Sequence, residues 1–177
     1  VTNSESFMLY TARHLRELSF EQLMAVYREG NEENGRILAP FDSQARQLRL
    51  AEGDFYSYLR DVFFLTPGAL YAVWTVQGRY VSALRLEPYK DGLLLEALET
   101  APQERGKGYA AALIRAVQEL LKDGGVSRLY SHVGKQNAAS LKTHQRCGFQ
   151  IVADSAAYLD GTVSSRAYTM EYDIAKG

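Results

Sequence analysis

Arg105-Gly106-Lys107-Gly108 stands between an apolar segment, residues 93–100, and a run of apolar residues at helical spacing. A strand that enters a helix through glycines turns several unpaired backbone N–H groups towards one point, with the positive end of the helix dipole behind them. That geometry suits a phosphate or pyrophosphate, and glycine at 108 leaves room for close backbone approach. Glycine turns before helices are also common connections, so the pair alone decides nothing. Two phosphate-binding patterns are excluded by residue type. The P-loop needs Ser or Thr directly after its lysine, and Gly108 follows Lys107. The dinucleotide fingerprint usually has a third glycine, where this chain has Ala111, and an acidic residue closing a second strand about 20 residues on, and neither fits.

Glu96 is the second position with chemical potential. A carboxylate in the middle of an apolar strand is costly unless it is paired or used. Strict alternation puts Glu96, Leu98 and Thr100 on one face, with Ala97 and Glu99 on the other. Burial would raise the Glu96 pKa towards the range of a general base, acting through water. The competing explanation is an ion pair with Arg85 on the preceding strand. Glu99 is the second candidate for the base. Cys147, just before Gly148, reads as a small packed residue.

The elements that must position these residues follow from periodicity. Residues 7–11 read as a first strand, and Ser19 with Gln22 as a capping box for a helix with Phe20, Leu23, Met24 and Tyr27 on one face. Residues 29–40, polar and carrying Gly30 and Gly35, read as a loop ending at Pro40. Asp42 or Ser43 caps a second helix with Leu48, Ala51, Phe55, Leu59, Val62 and Phe63 as its apolar face. Gly53-Asp54 is a candidate break, and Pro67-Gly68 closes it. Residues 69–76 and 79–86 form a hairpin at Gln77-Gly78. Asp91-Gly92 turns the chain into the central strand, 93–100. Ala110, Leu113, Ile114, Val117, Leu120 and Leu121 mark a helix that stops at Gly124-Gly125. Residues 128–133 are the parallel partner of 93–100. Asn137 caps a helix that ends at Gly148. Residues 149–153 and 166–174 are a final antiparallel pair, joined by a long connection with Tyr158 and an Asp160-Gly161 turn.

Length and composition bound the rest. A chain of 177 residues with 46% hydrophobic composition suits one well-packed domain. A net charge of −1 gives no general field for nucleic acid or an anionic membrane. One cysteine excludes an intramolecular disulfide and leaves a cysteine–histidine zinc site unsupported. No apolar run reaches the roughly 18 residues of a membrane span, and no basic-then-apolar signal pattern opens the chain, so cytoplasm is the expected location. Acidic residues gather in one region (Glu29, Glu32, Glu33, Asp42, Glu52, Asp54 and Asp61), where they could rim a site for a cationic amine. Arg28, Arg36, Arg46, Arg49 and Arg60 are interleaved with them.

Arg105-Gly106-Lys107-Gly108-Tyr109-Ala110 resembles the Arg/Gln-x-x-Gly-x-Gly/Ala signature of the GNAT family of N-acetyltransferases, with Pro102 where that family often has a proline. Residues 137–149 resemble the family's Asn-x-x-Ala/Ser-x-x-x-Tyr-x-x-x-Gly-Phe helix, with His144 in place of the tyrosine. The resemblance covers residues 69–174 well and 1–68 in outline. It implies an α/β, single-domain GNAT-like fold, in which a mixed, mostly antiparallel sheet of about seven strands is flanked by about four helices. The central strand and its parallel neighbour splay apart. Residues 1–68 would overlie the acceptor and 69–174 would form the acetyl-CoA-binding core.

As cosubstrate the resemblance implies acetyl-CoA, with no metal. Backbone groups of Leu98, Glu99 and Thr100 would pair with the pantetheine amides. Amides of Arg105, Gly106, Lys107, Gly108, Tyr109 and Ala110 would hold the pyrophosphate, and Asn137 would contact the CoA arm. Glu96 would be the base, and His144 would stand where the family has its general acid, or would only pack beside CoA. Tyr130, Tyr158 and Tyr168 are substitutes for the acid. The expected reaction is direct acetyl transfer to an amine of a small molecule or protein, by a monomer or homodimer, with no nucleic-acid or membrane partner. The competing expectations are a non-catalytic acyl-CoA-binding or sensor protein of the same fold and, less compatible with the motifs, a nucleotide-phosphate-binding fold.

Overall fold

The computed structural model describes residues 6–177; the first five residues of the N-terminal segment, part of both the 1–68 half and the signal-pattern expectation, lie outside it. One seven-stranded sheet organises the chain, in the order β1-β2-β3-β4-β5-β9-β6. Its strands are β1 (Phe7–Ala12), β2 (Leu70–Val76), β3 (Arg79–Tyr89), β4 (Gly92–Thr100), β5 (Arg128–Gly134), β6 (Gln150–Ala153) and β9 (Ala167–Asp173). A separate hairpin is formed by β7 (Ala156–Ala157) and β8 (Val163–Ser164). Among the described residues only β4 and β5 pair in parallel; every other neighbour in the sheet is antiparallel. The parallel pairing stops at Leu95 opposite Ser131, while β4 runs on to Thr100 and β5 to Gly134. Beyond that point the two strands are splayed.

Each sheet face is covered by helices over its own core. Helices α4 (Tyr109–Asp123) and α5 (Ala138–Arg146) cover Leu84, Leu86, Leu95, Leu129 and Met170 through Leu113, Ile114, Val117 and the nearby Phe149. On the opposite face α1 (Phe20–Val26) and α3 (Gln44–Asp61) bury Leu23, Met24, Val26 and Leu59 against Tyr71, Val73 and Ala83. Caps hold several termini. Ser43 accepts from the Arg46 amide and Asn137 from the Ser140 amide. Ser19 caps α1 through the Gln22 amide, but the Gln22 side chain accepts from the Tyr80 amide on β3, so the box is half-formed.

Residues 28–38 are a helix, α2 (Arg28–Leu38), where the polar, glycine-bearing sequence predicts a loop. Among the described residues the flanking α-helices therefore number five. Its buried positions are Asn31 and Gly35 rather than large apolar residues, whereas Ile37 and Leu38 face outward. Hydrophobic periodicity has nothing to register there. Gly35 is small because α3 crosses against it: a Cβ would lie 2.4 Å from the Gln47 carbonyl oxygen. Helix α3 runs unbroken through Gly53-Asp54, with open space around Gly53. Strand β3 continues past Leu86 to Tyr89, which brings Glu87 into the sheet.

The two glycines of α2 should respond oppositely to alanine. Around Gly30 there is nothing within 4 Å of an added Cβ, so Gly30→Ala should stabilise the protein by about 0.5–1 kcal/mol through helix propensity. Gly35→Ala should instead destabilise it by about 1–3 kcal/mol, the cost of forcing two packed elements apart. Chemical denaturation reads both; equal signs would sink this account of the α2–α3 contact.

Candidate active site

Position 97 sets the geometry of the site. Arg85 on β3 stands opposite Glu96 and Ala83 opposite Glu99, so three steps along β4 match two along β3. The extra residue is a β-bulge, with Ala97 in left-handed backbone at φ 49°. The bulge resets side-chain alternation. Glu96 does not share a face with Leu98 and Thr100, as strict alternation predicts; it shares one with Glu99, Arg85 and Ala83. Leu98 packs on the α4–α5 core, while Ala97 joins the α1–α3 core. Tyr27, at the joint between α1 and α2, donates to the Ala97 carbonyl at 2.7 Å and accepts from Tyr71 at 2.9 Å.

On the α4–α5 face the splay opens a cleft of about 580 Å³. Its lining brings together Leu98, Glu99, Thr100, Arg105, Gly106, Gly108, Tyr109, Ala110 and Asn137. Gly106 and Gly108 have φ values of 78° and 82°, a conformation that glycine adopts without the Cβ penalty. Gly108 is the N-cap of α4 and contributes no side-chain cap, while its carbonyl accepts the first intrahelical bond from Ala112. The N–H groups of the first turn thus face the cleft unspent, and a Cβ built on Gly108 meets open space.

The basic side chains of the turn are already engaged. Lys107 turns away to Glu104 at 2.7 Å, which also receives Arg79 at 2.9 Å. Arg105 binds Glu29 of α2 at 2.7 Å and approaches Glu99 at 3.7 Å. Burial raises the Glu99 pKa, and Arg105 opposes that shift. Sequence reasoning missed Ser140, Thr143 and Arg146, which also line the cleft. Spacings of three residues after Asn137 carry the signal that would have found them.

His144 is placed elsewhere. It is 1% exposed and does not line the cleft. Its Nδ1 lies 2.8 Å from the Ser140 carbonyl, which can only accept, so the proton is on Nδ1 and Nε2 accepts from Ser131 Oγ at 2.9 Å. Phe149 closes one side with its ring 5.1 Å away. Burial lowers the pKa, so the ring is neutral with both nitrogens occupied. The arrangement does not present a proton donor to the cleft. None of the three tyrosines replaces it there: Tyr130 donates to Asp91, Tyr158 stands edge-on to His132, and Tyr168 lies under Lys135.

Glu96 points to the opposite face, towards α3. Its pKa is raised to about 7, first by burial and then by the Glu87 carboxylate beside it, with Arg85 opposing. Arg85 lies 3.8 Å from Glu96 and under the rings of Tyr58, Phe63 and Phe55, at 4.8, 5.6 and 6.0 Å. Its guanidinium floors a second cavity of about 420 Å³, walled by Asn31, Asn34, Ile37, Asp54, Phe55 and Tyr58. Of the acidic residues in this region, Glu32, Asp42 and Asp61 pair with Arg28, Arg46 and Arg60 on the surface. Asp54 is the acidic member of the cavity wall. Among the described residues no group of three or more His, Cys, Asp or Glu could hold a metal ion, and no helix is long and apolar enough to cross a membrane.

Comparison with known proteins accords with this geometry. The model of the acetyltransferase (GNAT) family matches residues 22–149. Streptothricin acetyltransferase of Streptomyces lavendulae is 27% identical over 89 residues, 50% of this chain and 47% of that protein, so the match spans about half of the relative's length. The crystal structure of nourseothricin acetyltransferase superposes with a TM-score of 0.51 at 25% identity, over 61% of this chain and 66% of that one. Spermidine N-acetyltransferase of Vibrio cholerae, solved with CoA and spermine, gives 0.59 over 96% of both chains. At 16% identity that likeness speaks for the fold alone.

The buried imidazole has a measurable consequence. As pH falls through about 6.5, the unfolded chain takes up a proton on His144 that the folded chain refuses, so folded stability drops. The melting-temperature advantage of wild type over His144→Gln should therefore narrow between about pH 7.5 and about pH 5.5. An advantage that widens on acidification would mean that the folded ring is charged.

Proposed function

The chain belongs to the GNAT family of acetyltransferases, and we propose that it transfers the acetyl group of acetyl-CoA directly to an amine. The observation that carries this reading is the splay itself. A helix terminus with unspent amides stands on one face of the sheet and a half-buried carboxylate on the other, either side of the divergence of β4 from β5. The pyrophosphate would lie on the amides of residues 105–110, and the pantetheine along Leu98–Thr100 and past Asn137. The thioester would then reach the gap from one side and the amine from the other.

The amine must lose a proton before it can attack. Glu96 takes that proton, directly or through one water. The nitrogen bonds to the acetyl carbon, the carbon–sulfur bond breaks, the electron pair leaves with sulfur, and the second proton lost by nitrogen passes to the departing thiolate, directly or through water, to give the CoA thiol. A thiol has an ordinary pKa of about 8.5, far below that of an alcohol, so the thiolate departs without a strong acid beside it. His144 is then a structural residue, tying α5 to β5 through Ser131. Its engagement is also what favours the second reading, a protein that binds acyl-CoA without transfer.

The acceptor is proposed as a primary amine entering through the cavity between α2 and α3. Streptothricin belongs among the amines to be tested, on the strength of the partial match, together with spermidine and a peptide N-terminus. Thiol release from acetyl-CoA should depend on one of them. With that amine, Glu96→Gln should lower the rate by about 10²–10⁴-fold, the usual contribution of a general base. The wild-type rate should rise as pH passes about 7, because Glu96 acts only after losing its proton. Saturable CoA binding without release from any amine would favour the binding-protein reading.

A second test addresses the turn. Gly108→Asn keeps a residue that tolerates left-handed backbone but puts a side chain where phosphate would approach. It should fold and lose the acetyl-CoA-induced rise in melting temperature; an unchanged rise would remove the phosphate assignment.

A further inference from the structure

The α1–α3 face of the sheet buries three ionisable side chains whose charges do not balance. Arg85 and Glu87 come from β3 and Glu96 from β4. Register puts Arg85 opposite Glu96 and Glu87 opposite Leu94, so the two carboxylates are diagonal neighbours on one face. Glu87 is 8% exposed, and the side chains of Glu96 and Arg85 are 21% and 16% exposed. Aromatic rings of α3 and the turn after it lie over the guanidinium, whose Nε has no hydrogen-bond partner and keeps only the long contact with Glu96. Two carboxylates against one guanidinium in such a place leave one negative charge uncompensated. Binding a proton costs less than burying that charge.

The surrounding groups do not supply the missing charge. Tyr27, Tyr58 and Tyr71 face Arg85 from the α1–α2 joint, α3 and β2, and burial raises all three above the ordinary tyrosine pKa, so they are neutral. Glu99, farther along β4, is turned towards Arg105. Asp54 on the cavity wall adds negative charge, not positive. Across the splay, His132 shares the face of Tyr130 on β5; burial, and then Lys90, whose ammonium lies over the Tyr89 and Tyr130 rings and not against either carboxylate, lower its pKa and leave it neutral.

We propose that the Glu87 carboxylate, the diagonal neighbour of Glu96 on one face of the sheet, is the positioning residue for the base and keeps a proton on Glu96. This rests on the reading of Glu96 as the base for the amine. While Glu96 keeps its proton, Arg85 faces a single negative charge on this part of the sheet. Once Glu96 loses it, two carboxylates stand beside one guanidinium. The second charge then has a strong demand for a proton, and the acceptor ammonium is the group that meets it. Removing Glu87 leaves Glu96 as a single carboxylate already compensated by Arg85. Such a carboxylate ionises at lower pH and is a weaker base.

Carbon-13 NMR of glutamate-labelled protein reads this without any acceptor. One carboxyl signal should titrate near pH 7 in the wild-type chain and vanish in Glu96→Gln, which assigns it. In Glu87→Gln its midpoint should fall by about one pH unit or more, as loss of a neighbouring like charge requires. The acid limb of the rate profile should move down with it, with a lower plateau rate. An unchanged midpoint in a folded Glu87→Gln overturns the role assigned to Glu87. Should that variant not fold, Glu87→Asp keeps the charge but withdraws it, and an unmoved midpoint there overturns it equally. Failure of the base reading is distinguishable, since it would show as undiminished thiol release in Glu96→Gln while the NMR shift stands.

Discussion

Three residues of β4 stand against two of β3 where Ala97 turns left-handed, and the site depends on that extra residue. A left-handed alanine costs about 1–2 kcal/mol of local strain. The Tyr27 hydroxyl on the Ala97 carbonyl offsets a good part of this, since a net hydrogen bond contributes about 0.5–1.5 kcal/mol. Tyr71 holds Tyr27 in turn, from a side chain with no exposed surface. The joint between α1 and α2 is thus tied to the bulge. The bulge lies at the start of the divergence of β4 from β5, just past the last parallel pair at Leu95 and Ser131. It also gives the two faces different jobs: Leu98 and Thr100 face the α4–α5 cleft, and Glu96 the α1–α3 side.

On the cleft side, backbone outweighs charge. Lys107 and Arg105 look in sequence like the cations of a phosphate site, yet both are paired with carboxylates. The Arg105–Glu29 pair is exposed and worth about 0–1 kcal/mol, so a polyphosphate could compete for Arg105 at small cost, whereas Lys107 is held by the buried Glu104. What cannot be rearranged is the first turn of α4. Its amides are fixed by the helix and exposed by two left-handed glycines, and they need no reorganisation to meet an anion. The same logic sets Asn137 in place, since its side chain is committed to capping α5 whatever else it touches.

On the other side, chemistry is set by what is scarce. Phe55, Tyr58 and Phe63 lie over the Arg85 guanidinium, and two carboxylates, Glu87 and Glu96, share its face of the sheet. Burial there makes a proton tightly held and therefore useful. His144 illustrates the contrast. Its burial comes with a carbonyl and a hydroxyl for its two ring nitrogens, so it is satisfied and has no proton to give to the cleft.

Much of this was legible in the order of residues. Glycines at 106 and 108 followed by helical periodicity located the α4 terminus, and Asn137 with Gly148 bracketed α5, because caps and left-handed turns are local demands met by specific residue types. Most of the strands of the sheet and its parallel crossover were readable for the same reason. Helix α2 was not, because its buried stripe is Asn31 and Gly35 and its reason for being small at 35 is the backbone of α3. Nor was the face of Glu96, since period-two counting fails at a bulge that only the partner strand reveals. Glu87 passed unnoticed as a residue beyond a strand's end. The sequence by itself determined where an anion could bind and that a carboxylate sat in the central strand. Tertiary structure decided which way that carboxylate points, what stands beside it and that His144 turns inward, because all three depend on cross-strand register and on contacts between residues far apart in the chain.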